Sequence, residues 1–364
     1  MRIGIVGAGI MGASTAWNLA KAGCNVTLID QGPMPHPQAA SSDENRLMRR
    51  IYPGQPGYAQ RVDDAILAWE RLWQAIGQSH FIRNGGLSCC GAEGDWTDQG
   101  RESLEAAGLP FRQLTPKEIG ELCPFLETGR LRWGLLEPDG GVFLAGRIMG
   151  DLIRLCRDAG VHILENAGVK RIDPADGAIH CGNGLDRHFD QLIVTTGAWL
   201  PKLLPDYAKR VAIQRQISVY FTAPAAWETA WRRAPAIIDM GHKDELYGVP
   251  PVGGSRLKLG TTATRREGPA GEAAEVAPSE IEHLKQTCRQ VVKDIDAYAP
   301  VASRTCWYAR TDDHRFIAEE RGRVLVISAC SGHGFKFGAA IGERVAAMVR
   351  GKATLGELRA WMAP

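Results

Sequence analysis

Three groups of residues have types and spacings that chemistry can use. The first is Gly7, Gly9 and Gly12, a G-x-G-x-x-G run, with Asp30 downstream. Gly7 suits a tight turn, Gly9 lets a backbone approach a pyrophosphate, and Gly12 lets a helix pack close to a strand. An acid placed as Asp30 is can accept hydrogen bonds from a ribose. The second group is Ser331-Gly332-His333-Gly334-Phe335-Lys336. Gly332 and Gly334 permit close backbone approach, and a helix N-terminus behind them would stabilise negative charge developing on a ligand. His333 and Lys336 sit at that terminus, and a lysine there opposes the helix dipole, which argues for a purpose. The third group is dispersed: Arg46 and Arg49, Lys258 between two leucines, and Cys306 before Trp307-Tyr308.

Members of the third group also have ordinary readings. Ser41 with Glu44 three residues on is a capping-box pattern, so Arg46 and Arg49 read as one face of a solvated, salt-bridged helix start. Lys258 on a strand would face away from Leu257 and Leu259, and on its own reads as a solvent-facing lysine. Cys306 is one of nine cysteines, most of which should be small buried hydrophobes, and a nucleophilic role would need electropositive surroundings. His333 and Lys336 read equally as surface residues of the last helix.

The elements that must position these residues follow from periodicity. An apolar run from Ile3 to Val6, the glycine turn, a helical segment to about Lys21, a stop at Gly23 and a second apolar run from Val26 to Ile29 give strand, turn, helix, strand and acid in the order a dinucleotide site requires. That order leaves open which dinucleotide is bound. Val62, Ile66, Trp69, Trp73 and Ile76 have helical spacing and Gly77 ends the run, so the tryptophans read as packing. Short apolar runs with many glycines over 79–144 suggest a mixed α/β insertion. Ile148, Leu152, Leu155 and Ala159 mark another helix, followed by a strand at 161–164, and 190–197 is a buried strand entering a glycine turn. Residues 211–263 look β-rich. Ser279 and Glu282 form a second capping-box pattern ahead of a helix with Ile281, Leu284, Cys288, Val291 and Ile295 as its seam. A final strand at 323–328 leads into the second glycine turn, and a helix carrying Ile341, Val345 and Met348 follows.

The expected fold is therefore α/β: a discontinuous Rossmann-like dinucleotide domain (1–78, 145–210 and 306–364) plus an α+β substrate domain with a mostly antiparallel sheet (79–144 and 211–305). A chain of 364 residues with a formal net charge of +2 and no long charged block points to no nucleic-acid partner and no membrane surface. Residues 3–20 are uncharged, but the glycines and Asn18 argue against a secretory signal. Nine cysteines without a C-x-x-C pair fit neither a disulfide framework nor a zinc site, and a reducing cytoplasm is expected. No G-x-S-x-G elbow, H-E-x-x-H or metal-ligand spacing occurs, which argues against hydrolytic and metal-dependent chemistry.

Seven stretches in sequence, GAGIMG, NRLMRRIY, VTTGAWLPKLLP, ELYGVP, RLKLG, TCWY and SGHGFKFG, complete a pattern over essentially the whole chain. It resembles the glycine oxidase and D-amino-acid oxidase superfamily of flavoproteins, and within it the monomeric sarcosine oxidase and N-methyltryptophan oxidase group. The resemblance implies FAD at the opening turn, with Asp30 on the adenosine ribose, and FAD contacts from Gly7, Gly9, Ile10, Met11, Gly12, Ser42, Arg46, Val169, Gly197, Trp199, Gly332 and Gly334. It implies an 8α-S-cysteinyl bond from Cys306 to FAD and a place for Lys258 over the flavin, where a fixed cation would stabilise superoxide. Arg49 and Lys336 match the substrate-carboxylate pair, and Tyr247, Tyr308 and His333 match residues lining the substrate cavity. Ser42 and Thr262 stand where the group has histidines near the substrate, so an amino acid other than sarcosine is expected. The implied activity is oxidation of a secondary (N-methyl or cyclic) amino acid, with O2 as acceptor and imine and H2O2 as products, in a monomer. A dehydrogenase, or a subunit of a larger flavoprotein complex, is the alternative.

Overall fold

The first strand, Arg2–Val6, is buried from Ile3 onward and lies inside a six-stranded sheet. Its neighbours are Asn25–Ile29 and Gln191–Val194, both parallel to it. His162–Leu164 continues the sheet on one side, and Val324–Ser328 with antiparallel Ile317–Arg321 on the other. The structure, a computed structural model, describes residues 1–363; Pro364, the end of the third expected segment, lies outside the described residues.

Side-chain alternation explains how both faces are covered. Ile3, Ile5, Leu28, Ile193 and Leu325 join a core with the helices Ile10–Lys21, Ala145–Asp158 and Gly338–Val349. Val6, Ile29, Leu192, Val194 and Val326 face the other way, onto a three-stranded sheet of Val169–Asp173, Ala178–Cys181 and Asp186–His188. Gly12 is what lets the first helix sit so low. A Cβ there would lie 1.9 Å from the Gly7 carbonyl oxygen.

A nine-stranded, mostly antiparallel sheet forms the second layer system. Its long strands Ala212–Thr222 and Ala299–Arg310 pair antiparallel, with Gln216 opposite Cys306 and Gln214 opposite Tyr308. Leu257–Gly260 lies on the other edge of Ala212–Thr222, so that Lys258 is opposite Tyr220. One face of this sheet, with Ile217, Val219, Leu257 and Leu259, enters a core with the helix Pro278–Cys288. The opposite face turns its side chains to the first sheet. We propose that these two sheets mark the two units expected from sequence, although Ala299–Arg310 runs on past residue 306.

Two local expectations are corrected. No helix starts at Ser41; the chain forms the strand Arg46–Met48, paired with Gly141–Phe143. Ser41 is not free to cap, because its Oγ accepts the Ile10 N–H at 2.9 Å. The helix expected at Ser279 begins at Pro278, which suits the first helical position because its missing N–H needs no partner. There Glu280, not Glu282, reaches back, accepting the Ala277 N–H at 3.0 Å.

Candidate active site

A cleft of about 760 Å³ lies between the two large sheets, and both glycine turns open onto it. At one end Gly7, Gly9, Ile10, Met11 and Asp30 line it. Gly7 has φ +104°, a conformation that glycine alone adopts readily. The first turn of the helix Ile10–Lys21 lines the cleft, and its N-cap is Gly9, which has no side chain, so the positive end of the helix is turned toward the cleft. Asp30 accepts the Ala8 N–H at 2.8 Å, which fixes its carboxylate at the end of the second strand. Burial pushes its pKa up, against backbone N–H groups and His36.

Val169, Gly197 and Trp199 also line the cleft. Gly12 lies behind the cleft wall, in its packing role. Ser42 does not line the cleft; its hydroxyl is buried without a partner among the described residues. Ser41, which reads in sequence as a helix cap, lines it instead. The S-S repeat gave no signal as to which serine turns inward.

The far end is built by the inward face of the second sheet. Cys306 and Tyr308 project from Ala299–Arg310, and Lys258 and Tyr247 from neighbouring strands. Gly260 makes room for Tyr247: a Cβ there would lie 2.3 Å from the tyrosine oxygen. Arg46 Nη2 lies 3.7 Å from Cys306 Sγ. A fixed cation beside a sulfur is the setting that thiol attack requires.

Lys258 is not a solvent-facing lysine; it is 2% exposed. Both faces of its sheet are covered, one by core and one by the cleft. Its Nζ donates to Asp43 Oδ2 at 3.1 Å and to the Asn45 carbonyl at 2.8 Å. Burial pushes the ammonium down to about 8 against the attraction of Asp43. Asp43 also pairs with Arg46 and accepts from the Tyr220 hydroxyl. Burial opposes its charge, yet Arg46, Lys258 and Arg304 together hold the carboxyl well below its usual range. The same pair keeps Arg46 ionised despite its own burial.

The second glycine turn supplies the remaining wall. Ala329, Ser331 and Gly332 all have positive φ, so the chain leaves the strand Val324–Ser328 through a strained turn of the kind found at functional sites. A 3₁₀ turn, Phe335–Phe337, precedes the helix Gly338–Val349. Lys336 therefore lies in that turn, 4% exposed, rather than on the helix surface. Its Nζ donates to the Tyr52 hydroxyl at 2.8 Å and to the His333 carbonyl at 3.3 Å. Tyr52 lies 3.2 Å from His333 Nδ1, and His333 Nε2 lies 3.2 Å from the His314 carbonyl. A carbonyl only accepts, so Nε2 carries the hydrogen and Nδ1 accepts from Tyr52. Burial, with Lys336 close by, pushes His333 well below its usual pKa, so the ring is neutral. Arg49 lies over the Tyr52 ring at 4.5 Å and over Trp96 at 5.1 Å. Tyr52 thus stands between the two cations, a role that the sequence did not assign although the residue falls within NRLMRRIY.

Arg49 and Lys336 hold neutral oxygens and aromatic faces. No carboxylate lies within ion-pair distance of either among the described residues. Burial and Arg49 push Lys336 well below its usual pKa, and Glu137 only partly offsets them. An anion held between Arg49 and Lys336 would favour the charge that burial and Arg49 disfavour on Lys336. The donor set along the cleft fits FAD: the first helix's N-terminus and Asp30 for pyrophosphate and ribose, and Arg46, Lys258 and Cys306 around the working end. Among the described residues no cluster suited to a metal ion occurs, and no helix is long and apolar enough to cross a membrane.

Comparison with known proteins gives the same direction. The family model described as FAD dependent oxidoreductase (DAO) matches residues 2–348. An N-methyl-L-tryptophan oxidase of Yersinia pestis is 26% identical over 361 residues, covering 96% of this chain and 94% of that protein. The solved modified fructosyl peptide oxidase from Aspergillus nidulans superposes with a TM-score of 0.84 at 19% identity, covering 97% of this chain and 91% of that one. L-proline dehydrogenase from P. horikoshii does so with a TM-score of 0.83 at 17% identity, over 97% and 94% of the two chains. At those identities the solved structures speak for the fold alone.

Proposed function

The chain belongs to the FAD-dependent oxidoreductase family, and on that premise we propose that it oxidises a secondary amino acid, N-methyl or cyclic, with O2 as electron acceptor. The observation that carries this reading is the convergence of Arg49 and Lys336 on Tyr52 without a carboxylate of their own, across the cleft from Lys258 and Cys306. When bound, FAD supplies the two-electron oxidation of the amine and the return of those electrons to O2, giving imine and H2O2.

The protein's part is binding, orientation and charge. Arg49 offers a fork of donors and Lys336 a point charge, and together they hold the substrate carboxylate. The relay from Lys336 through Tyr52 to His333 and the His314 carbonyl aims the ammonium into the cavity. Neutral His333 adds no competing charge. Tyr247 and Tyr308 wall the amine off from water, which strengthens each electrostatic contact inside. Lys258 keeps a positive charge at the inner wall, where negative charge would develop during electron transfer to oxygen. Arg46 beside Cys306 supports a covalent thioether link to the 8α carbon of FAD.

A second reading keeps the cofactor and changes the acceptor to a dye, a quinone or a partner flavoprotein. The ion pair from Lys258 to Asp43 favours it, because the carboxylate cancels much of the charge offered to oxygen. The test is the same for both. Purified protein supplied with N-methyl amino acids, proline and pipecolate should bleach its flavin and release H2O2 in air. Bleaching followed by turnover only with an added dye would select the second reading, and no bleaching with any secondary amine would sink both.

A further inference from the structure

The cleft holds charge that the carboxylate clamp does not use. Cys306, Tyr308 and Arg310 are alternate residues on one strand, so all three face the cleft. Two residues of strand advance about 7 Å, so Arg310 stands about that far beyond Tyr308 along the strand. Arg265, which closes the short 3₁₀ turn Thr262–Thr264, lines the same region. Both guanidiniums act on Tyr308 and His314.

Neither arginine is well paired. Among the described residues the Arg310 guanidinium has no hydrogen-bond or ion-pair partner, and its Nε is shut off from solvent. The Arg265 Nε is likewise buried and unpartnered. Among the described residues its one ion pair is with Glu245, 3.9 Å away, the two side chains being 29% and 55% exposed. Asp313, the other acid near His314, is taken by the Arg315 N–H at 3.1 Å. Guanidinium N–H groups left without acceptors are costly, and a planar anion would satisfy two at once.

We propose that Arg310 and Arg265 form a second anion subsite, and that the substrate is a secondary amino acid bearing a second carboxylate. This rests on the function proposed above. The first carboxylate lies on Arg49 and Lys336, and the amine lies between Tyr247 and Tyr308. The second carboxylate, at the end of the side chain or of the N-substituent, reaches Arg310. The substrate is thus dianionic and extended along the strand.

The experiment compares acid with amide in the holoenzyme. Anaerobic flavin reduction is followed with N-methylglutamate and N-(2-carboxyethyl)alanine, which place the second acid on the side chain and on the nitrogen, and with the primary amide of each. One acid should outperform its amide by about tenfold or more in reduction rate over dissociation constant. Arg310→Gln should collapse that ratio, and Arg310→Lys should keep part of it. Equal reactivity of both acids and their amides, or an unchanged ratio in Arg310→Gln, would overturn the subsite. Binding of glutarate and butyrate, which cannot be oxidised, is read separately from the shift of the visible flavin band. If no secondary amine bleaches the flavin, yet glutarate binds about tenfold tighter than butyrate in an Arg310-dependent way, the function proposal fails and the subsite stands. If amines bleach it but glutarate and butyrate bind equally, the subsite fails and the function stands.

Discussion

Lys258 Nζ stands 3.1 Å from the Asp43 carboxylate, and both side chains are sealed from solvent. Asp43 also has Arg46, but Lys258 has no other anion within ion-pair distance among the described residues, so its buried charge depends on Asp43. Lys258→Met should slow reoxidation by O2 about 100-fold while changing the rate of flavin reduction much less. Asp43→Asn strands the lysine and should cost about 3–5 kcal/mol of stability, read as a shift of the urea midpoint. Equal slowing of both half-reactions in Lys258→Met would remove the oxygen role.

Tyr52 accepts from Lys336 and hydrogen-bonds to His333. Tyr52→Phe keeps the ring under Arg49 and removes only the hydroxyl. Losing one buried partner of a charged group costs about 1–3 kcal/mol. The KM for the amino acid should rise about tenfold or more, with a smaller effect on kcat. Steady-state kinetics check this, and an unchanged KM would show that the hydroxyl does not position Lys336.

Glu137 is 2% exposed, with one carboxylate oxygen unpartnered and the other accepting the Arg50 N–H at 2.5 Å. Burial pushes it up to about 7, against Arg49, Arg50 and Lys336. Below pH 4.5 the acid is protonated in both folded and unfolded chains. Between 4.5 and 7 the folded chain holds the proton that the unfolded chain has released, so stability falls as pH rises through that window. The loss amounts to about 3 kcal/mol. Urea midpoints from pH 4.5 to 7.5 should show this slope in the parent protein and a flatter one in Glu137→Gln.

Cys306→Ala should free the cofactor. Acid-precipitated parent protein should keep its yellow colour in the pellet, whereas the variant should leave it in the supernatant. Colour in the supernatant of the parent protein would rule out the covalent link.

The opening βαβ unit was legible because every part of it is local. Gly7, Gly9 and Gly12, the helix and the strand ending at Asp30 are defined by spacing within thirty residues. Val62 to Gly77 was legible for the same reason, as the helix Pro56–Ile76 with Gly77 in a left-handed cap. Lys258 was not, since its neighbours in sequence are leucines and its partner Asp43 is 215 positions away. A strand lysine looks the same in sequence whether solvent or a buried cleft lies above it. Ser41 misled for a related reason: its oxygen satisfies the first helix rather than its own segment. The resemblance to a known family pointed to Lys258, Cys306 and Lys336, which the structure brings to one cleft, but not to Tyr52, Asp43 or Arg310, whose surroundings form only where distant segments meet.

The alternation along Ala299–Arg310 sets how this site can change. Cys306, Tyr308 and Arg310 share one face and line the cleft, which the buried Trp307 also borders, while Ala309 turns to the core. Replacing a side chain at 310 changes the cleft lining there and leaves the sulfur of Cys306 untouched. Inserting or deleting a single residue between 306 and 310 would instead rotate Arg310 into the core and bring an apolar neighbour into the cleft. The strand therefore tolerates drift in letters but not in length.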